Sequence, residues 1–192
     1  MGYAKVTSDL NHTAALRIAQ FIQTYQRLCR ESDERILSRK NFNLKDVHRF
    51  ADALTIVDIS APDFWLIRLS GTKSCERLGQ DNTGGNAQAS FAEDELRLRR
   101  CLAESLFETP SAVRATTRET YANGAQALLD TIAVPMWGEE NQRLIAHYAH
   151  VIEDIEHDFR SRPLADKTDL VSYTFIDLGY GIPNPENAQL VA

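Results

Sequence analysis

Residues 54–70 read LTIVDISAPDFWLIRLS, and the fold turns on how this stretch is read. Two runs rich in β-branched and aromatic residues, 54–59 and 64–70, flank Ser60-Ala61-Pro62-Asp63. Proline presets φ for a turn, and aspartate can hydrogen-bond its own backbone there. The spacer therefore predicts a tight reversal between two antiparallel strands. In the second strand, alternation places Trp65, Ile67 and Leu69 on one face and Phe64, Leu66 and Arg68 on the other.

Upstream of this hairpin the period is helical. Ala14, Leu16, Ile18, Phe21, Ile22, Tyr25, Leu28 and Cys29 form one apolar stripe, which predicts a helix over 13–29. Leu44–Asp52 predicts a second, shorter helix, with Asn43 as its N-cap and Asp46 in its first turn.

Downstream, residues 71–89 (GTKSCERLGQDNTGGNAQA) read as a short helix followed by a glycine- and asparagine-rich loop. Ser90 and Glu93 have capping-box spacing, and Leu98, Leu102 and Leu106 form the seam of a longer helix that Pro110 ends. Residues 111–121 and 125–136 predict two strands joined at Asn123-Gly124, the hairpin signal for a turn with two positive φ values. A further strand is expected from Arg143 past Val151, with a helix as the alternative there. Leu170–Leu178 predicts a last strand before a loose tail.

The bulk numbers fit a single ordinary domain. The chain has 192 residues, 43% hydrophobic and 25% charged, which suffices for one sizeable core. A net charge of -6 argues against a surface built to neutralise phosphates, so no nucleic-acid partner is expected. Cys29, Cys75 and Cys101 are scattered with no CxxC spacing, as in reduced cytosolic proteins. No apolar run approaches the ~20 residues that span a bilayer, and MGYAKVTSD lacks a signal-peptide core. A cytoplasmic protein with no membrane partner is expected.

Two strands, a helical crossover and three strands is the PAS order of elements. The segments Phe42-Asn43-Leu44, Leu54–Asp58, Arg68–Thr72 and Leu78–Gly84 resemble a bacterial family of stand-alone PAS-like proteins. Arg68, Gly71, Thr72, Gly79, Asp81, Thr83 and Gly84 match its R-L-x-G-T and G-x-D-x-T-G patterns. The resemblance covers about residues 36–160. It implies an α+β fold: a PAS-like five-stranded antiparallel sheet with a helical crossover on one face, plus an N-terminal helical extension. The corresponding division is 1–35 extension, 36–178 PAS-like domain and 179–192 tail. It also implies a non-catalytic regulatory or sensory module that binds a small ligand or a partner protein, dimerises, and answers to a signalling partner it does not identify. It names no ligand and no cofactor.

The motif residues have a physical account without the family. Gly71 sits where a strand passes into a helix, Thr72 is placed to cap that helix, and Asp81 and Thr83 can bond amides of their own loop. Trp65, Cys75, Tyr148 and His150 are the residues offered to a ligand. A helical reading of 147–157 would put His150, Asp154 and His157 on one face as metal ligands, whereas a strand separates His147 from Tyr148 and His150. No metal site is expected. The competing reading is a small cone-shaped enzyme using Asp58 or Asp130 as a general base, an isomerase or dehydratase. A third is a purely structural interaction domain.

Overall fold

The computed structural model describes residues 3–154 and 165–184. Helix α1, Tyr3–Ser32, is longer than its apolar stripe requires. Strand β1 (Leu37–Ser38) and the single helical turn α2 (Leu44–Val47) follow. The hairpin is β2 (Leu54–Asp58) and β3 (Leu66–Ser70). The crossover carries α3 (Thr72–Leu78), a short 3₁₀ turn and α4 (Glu93–Glu108). Strands β4 (Ser111–Tyr121), β5 (Gln126–Trp137), β6 (Arg143–Asp154) and β7 (Ala165–Asp177) complete the chain.

Among the described residues the strands form one sheet in the order β3-β2-β6-β5-β4-β7, every neighbour antiparallel. The first hairpin strand pairs with the last meander strand, Ile56 opposite Ala146, so hairpin and meander fuse into one surface. The α+β class, the antiparallel sheet and the crossover on one face are as the sequence predicts. Two strands enlarge the five that the resemblance implies. Strand β7, the last strand read from Leu170–Leu178, adds to the β4 edge. Strand β1, not read from the sequence, pairs in parallel with β5 through Leu37 and Met136.

The sheet is covered on both sides. On one face α1 lays down Ile18, Phe21, Tyr25 and Leu28 against Leu54, Ile56, Ile132, Val134 and Tyr148. Phe21 stacks on Tyr148 at 5.6 Å, and Phe50 meets both rings edge-on. The Tyr25 hydroxyl donates to the Pro135 carbonyl (2.6 Å) and accepts from the Leu37 amide (3.2 Å), tying α1 to β5 and β1. The opposite face, with Val57, Val113, Ala115 and Ile145, is roofed by the crossover through Ala103 and Leu106.

Several local expectations are corrected. The second helix is only Leu44–Val47, with a 3₁₀ turn at Ala51–Ala53 in place of its last part. The hairpin connection is residues 59–65, so Phe64 and Trp65 precede β3. A bulge pairs Ile56 with Leu69 but Val57 with Ile67, which moves Leu69 off the face it was expected to share with Ile67. The capping box does not form: α4 is capped at Ala92 with no side-chain bond, and Ser90 donates instead to Ala87. Helix α3 is capped at Gly71 with no side-chain bond, so Thr72 is its first residue and no cap.

The two turns also trade places. At Asn123-Gly124 only Gly124 has a positive φ (84°), and Tyr121 bonds Ala125 across a three-residue loop. The turn with two positive φ values lies between β5 and β6, at Glu140 and Asn141 (51° and 63°), closed by Gln142 donating to Glu139.

Candidate ligand cavity

Between the sheet and the crossover lies a cavity of about 490 Å³. Its floor is short-chained. Ala115 and Ala133 on β4 and β5, with Thr117 and Thr131, leave space that leucines would fill. Register explains the alignment: Ala115 is opposite Thr131, Ala133 is opposite Val113 and His147, and His147 is opposite Thr55. Strands β4 and β5 therefore gather their short side chains into one patch, with His147 of β6 and Thr55 of β2 alongside.

The roof is apolar and aromatic. Leu102, Ala103 and Leu106 of α4 face Val57, Ile67 and Ile145 across the space. Trp65 meets Phe91 edge-on at 6.1 Å, and the Arg99 guanidinium lies 4.2 Å from the Phe91 ring centre. The glycine-rich loop forms the near wall. Gly84 donates to the Ile67 carbonyl, Ile67 to Gly85 and Ala87 to Trp65. Asn86 Oδ1 accepts from the Trp65 and Gln88 amides, so residues 84–87 run along β3 and hold Trp65 in place.

Three charged or polar groups stand out in this lining. Arg77, from α3, forms a two-pronged ion pair with Glu119 of β4 (2.8 and 3.1 Å), and Glu119 also accepts from Tyr121. Arg99, from α4, bonds Glu95 and the Thr168 carbonyl, while Glu95 accepts from the Leu170 amide of β7. Burial lowers the Arg99 pKa, an effect its pairing with Glu95 opposes. His147 sits on the floor, part-exposed to the cavity. Burial, reinforced by the positive charges of Arg77 and Arg99, pushes its pKa down to about 4, so its imidazole is neutral at pH 7. No hydrogen bond among the described residues uses its ring nitrogens.

Of the residues offered to a ligand, Trp65 lines the cavity and the other three do not. Tyr148 is buried on the opposite face among Phe21 and Phe50. His150 shares that opposite face, where burial and the charges of Lys73 and Arg17 lower its pKa. Cys75 bonds through its thiol to the Ser70 carbonyl and to Asp81, outside the lining. The strand keeps His147 and His150 on opposite faces, and β6 runs as a strand to Asp154, so the helical metal face does not form there. His157 lies outside the described residues. Among the described residues no group of three ligating side chains is placed to hold a metal.

Neither aspartate of the enzyme reading reaches the cavity. Asp58 caps the Ser60 amide and pairs with Arg68 at 3.7 Å. Asp130 lies on the α1 side, where Arg114 grips both its oxygens, one at 2.9 Å. The motif residues are architectural neighbours of the site. Gly79 ends α3 at φ 76°, Asp81 accepts from the Thr83 amide, and Gly84 has φ 86° in the near wall.

Sequence reasoning offered neither Arg77 nor Glu119 to a ligand, and it passed over His147 for His150. It read Arg99 with Arg97 and Arg100 as a solvated helix face, whereas the Arg99 side chain is largely buried. The alternation in Leu144–His150 did separate the two histidines. Which face held the cavity depends on α1 covering the other face, and no local pattern states that.

No family model matches the chain, and no curated protein matches it. Solved structures similar to it include the PAS domain of a protein from Colwellia psychrerythraea. That likeness has 17% identity and a TM-score of 0.40, over 58% of this chain and 96% of the other. The Rhodobacter sphaeroides LOV protein is similar at 17% identity and a TM-score of 0.39, over 68% of this chain and 66% of the other. At such values neither likeness says anything of activity or ligand.

Proposed function

We propose that this chain is a PAS-like regulatory module that senses a small molecule bound in the cavity between its sheet and crossover, without catalysing a reaction. The observation that carries the reading is the cavity itself. Protein interiors leave few voids larger than a water molecule, and ligand sites run from about 300 to 1,000 Å³. A space of about 490 Å³ lies within that range, and Ala115 and Ala133 on its floor leave it unfilled by the chain's own side chains. A fold that keeps such a space keeps it for an occupant. The mixed lining, apolar with a few convergent polar groups, has the character of a small-molecule site. The order hairpin, helical crossover, meander supports the PAS-like reading.

No helix among the described residues is long and apolar enough to cross a membrane, and the three cysteines are free thiols. Both fit the cytoplasmic address. The proposed homodimer would not use the apolar stripe of α1, because the chain's own sheet covers it.

Native mass spectrometry of protein purified from cells tests the reading and the oligomeric state together. The expected spectrum shows a dimer carrying an additional small mass that dissociates on activation. Bare protein, with no small molecule retained from cells or taken up from a cell extract, would overturn the ligand reading.

A further inference from the structure

Three features of the cavity converge on one ligand chemistry. First, its walls are apolar and aromatic around Trp65, Phe91, Val57 and Ile145. Second, His147 on the floor is part-exposed to the cavity, and no hydrogen bond among the described residues uses its ring nitrogens. Third, two guanidiniums line the same space with spare donors. Arg77 spends Nε and Nη2 on Glu119, and Arg99 spends Nε and Nη2 on Glu95 and the Thr168 carbonyl. Nη1 of each takes part in none of the bonds among the described residues.

We propose that the occupant is a small amphipathic carboxylate, its apolar body under α4 and its anionic head between His147 and the Nη1 groups of Arg77 and Arg99. This rests on the ligand reading above and narrows it to a chemical class.

The charges around His147 decide for an anion over a neutral head group. The charged groups that share the cavity lining with it are Arg77 from α3, Arg99 from α4 and Glu119 from β4, with Arg77 bonded to Glu119 and Arg99 to Glu95 outside the lining. Of these, the two arginines act on His147, and both disfavour a further positive charge there. Both guanidiniums are ion-paired, so what the floor offers an anion is the unused Nη1 donor of each, set beneath apolar walls. Charge-assisted bonds from guanidinium to carboxylate are about twice as strong as neutral ones, and a desolvated site screens them little. A carboxylate placed there opposes both arginines and raises the basicity of His147. Binding then takes up a proton as pH falls, with the proton held on the imidazole opposite the carboxylate.

The test compares three probes on the full chain by titration calorimetry and by the imidazole resonances of His147: 1-naphthylacetate, the equally bulky 2-(1-naphthyl)ethanol, and indole. Naphthylacetate is expected to bind at least roughly tenfold more tightly than the alcohol. Its affinity is expected to rise as the pH falls from neutrality toward about 5, above the free-state His147 value of about 4, with a proton taken up in that range. His147→Asn should flatten that rise, and Arg99→Gln should narrow the gap between acid and alcohol. If the alcohol or indole binds and the acid binds no better, the carboxylate class is overturned while the cavity remains a ligand site. If the acid binds better but with a flat pH profile, His147 is overturned as part of the head-group site. If none of the three perturbs His147, the carboxylate proposal falls, and the ligand reading stands or falls separately on the small mass in native mass spectrometry.

Discussion

The His147 imidazole is held neutral by its surroundings, and this has a consequence for stability that needs no ligand. The unfolded imidazole titrates near 6.5 and the folded one near 4. Between those values the unfolded chain binds more protons, so stability rises with pH across that window. The contribution is complete above about pH 6.5 and is lost as pH falls toward 4, amounting in all to about 3 kcal/mol. Urea unfolding at about pH 4.5 and 7.5 should therefore show a steeper acid loss for the native chain than for His147→Asn, by about 2–3 kcal/mol; equal losses would mean that His147 is not held neutral. Gly71 makes a second prediction at this scale. A Cβ there would lie 2.3 Å from the Ala51 carbonyl oxygen and 2.5 Å from that of Asp52, both backbone atoms that cannot swing aside. Its own amide donates to Leu54 at 2.8 Å, so the approach is fixed by a bond as well as by packing. Gly71→Ala should lower stability by about 1–3 kcal/mol in chemical denaturation. The sequence showed that a residue without Cβ was useful at this bend, but not which backbone it touches, because the Ala51–Ala53 turn arrives from upstream of the hairpin.

Among the elements, α1 shows how far a pattern reads. Its stripe at helical spacing announced both the helix and its buried face: Ala14, Ile18, Phe21, Tyr25, Leu28 and Cys29 are buried and Ile22 partly so, while Leu16 of the same stripe is exposed. Alternation and turn residues likewise placed β4 at residues 111–121, the bounds it has. Elements whose limits depend on partners were not legible in this way. Strand β7 runs from Ala165, five residues before its apolar segment, because β4 supplies partners as far as Tyr121. The Leu69 side chain changes face because a bulge opposite Ile56 and Val57 resets the register, and one-residue shifts leave no mark on hydrophobic alternation within a single strand. The tie between α1 and the sheet also lies beyond periodicity, since the Tyr25 hydroxyl bonds Pro135, which is far along the chain. Tyr25→Phe keeps the ring and removes both bonds, leaving the Leu37 amide without its acceptor. It should cost about 1–3 kcal/mol, and hydrogen exchange at Leu37 and across β1 should accelerate more than exchange at the β4–β5 pairing. Uniform acceleration would show that the hydroxyl contributes to overall stability without pinning that corner.

For the molecule as a whole, the layered arrangement assigns different work to the two faces of one sheet. The α1 face is packed with aromatic and branched side chains, and the crossover face is thinned by Ala115 and Ala133. That asymmetry was invisible along the sequence. Each alanine is an ordinary strand residue by itself, and only the pairing of β4, β5 and β6 gathers the small side chains beneath α4. It also separates stability from function in a way that can be measured. Filling a packed core costs stability because nothing can move aside, whereas filling a preformed cavity adds contacts without strain. Ala115 lies on the cavity floor, and a leucine there would grow into the space toward α4. Three added carbons, at about 0.8 kcal/mol per buried methylene, should raise the stability of ligand-free protein by about 1–2 kcal/mol after side-chain ordering is deducted. The same substitution should abolish uptake of the small mass in native mass spectrometry and of naphthylacetate in calorimetry. Thermal unfolding and ligand uptake would then move in opposite directions in one variant. A stabilised Ala115→Leu that still takes up its occupant would place the ligand elsewhere, and a destabilised one would mean that the crossover face is packed as tightly as the face beneath α1.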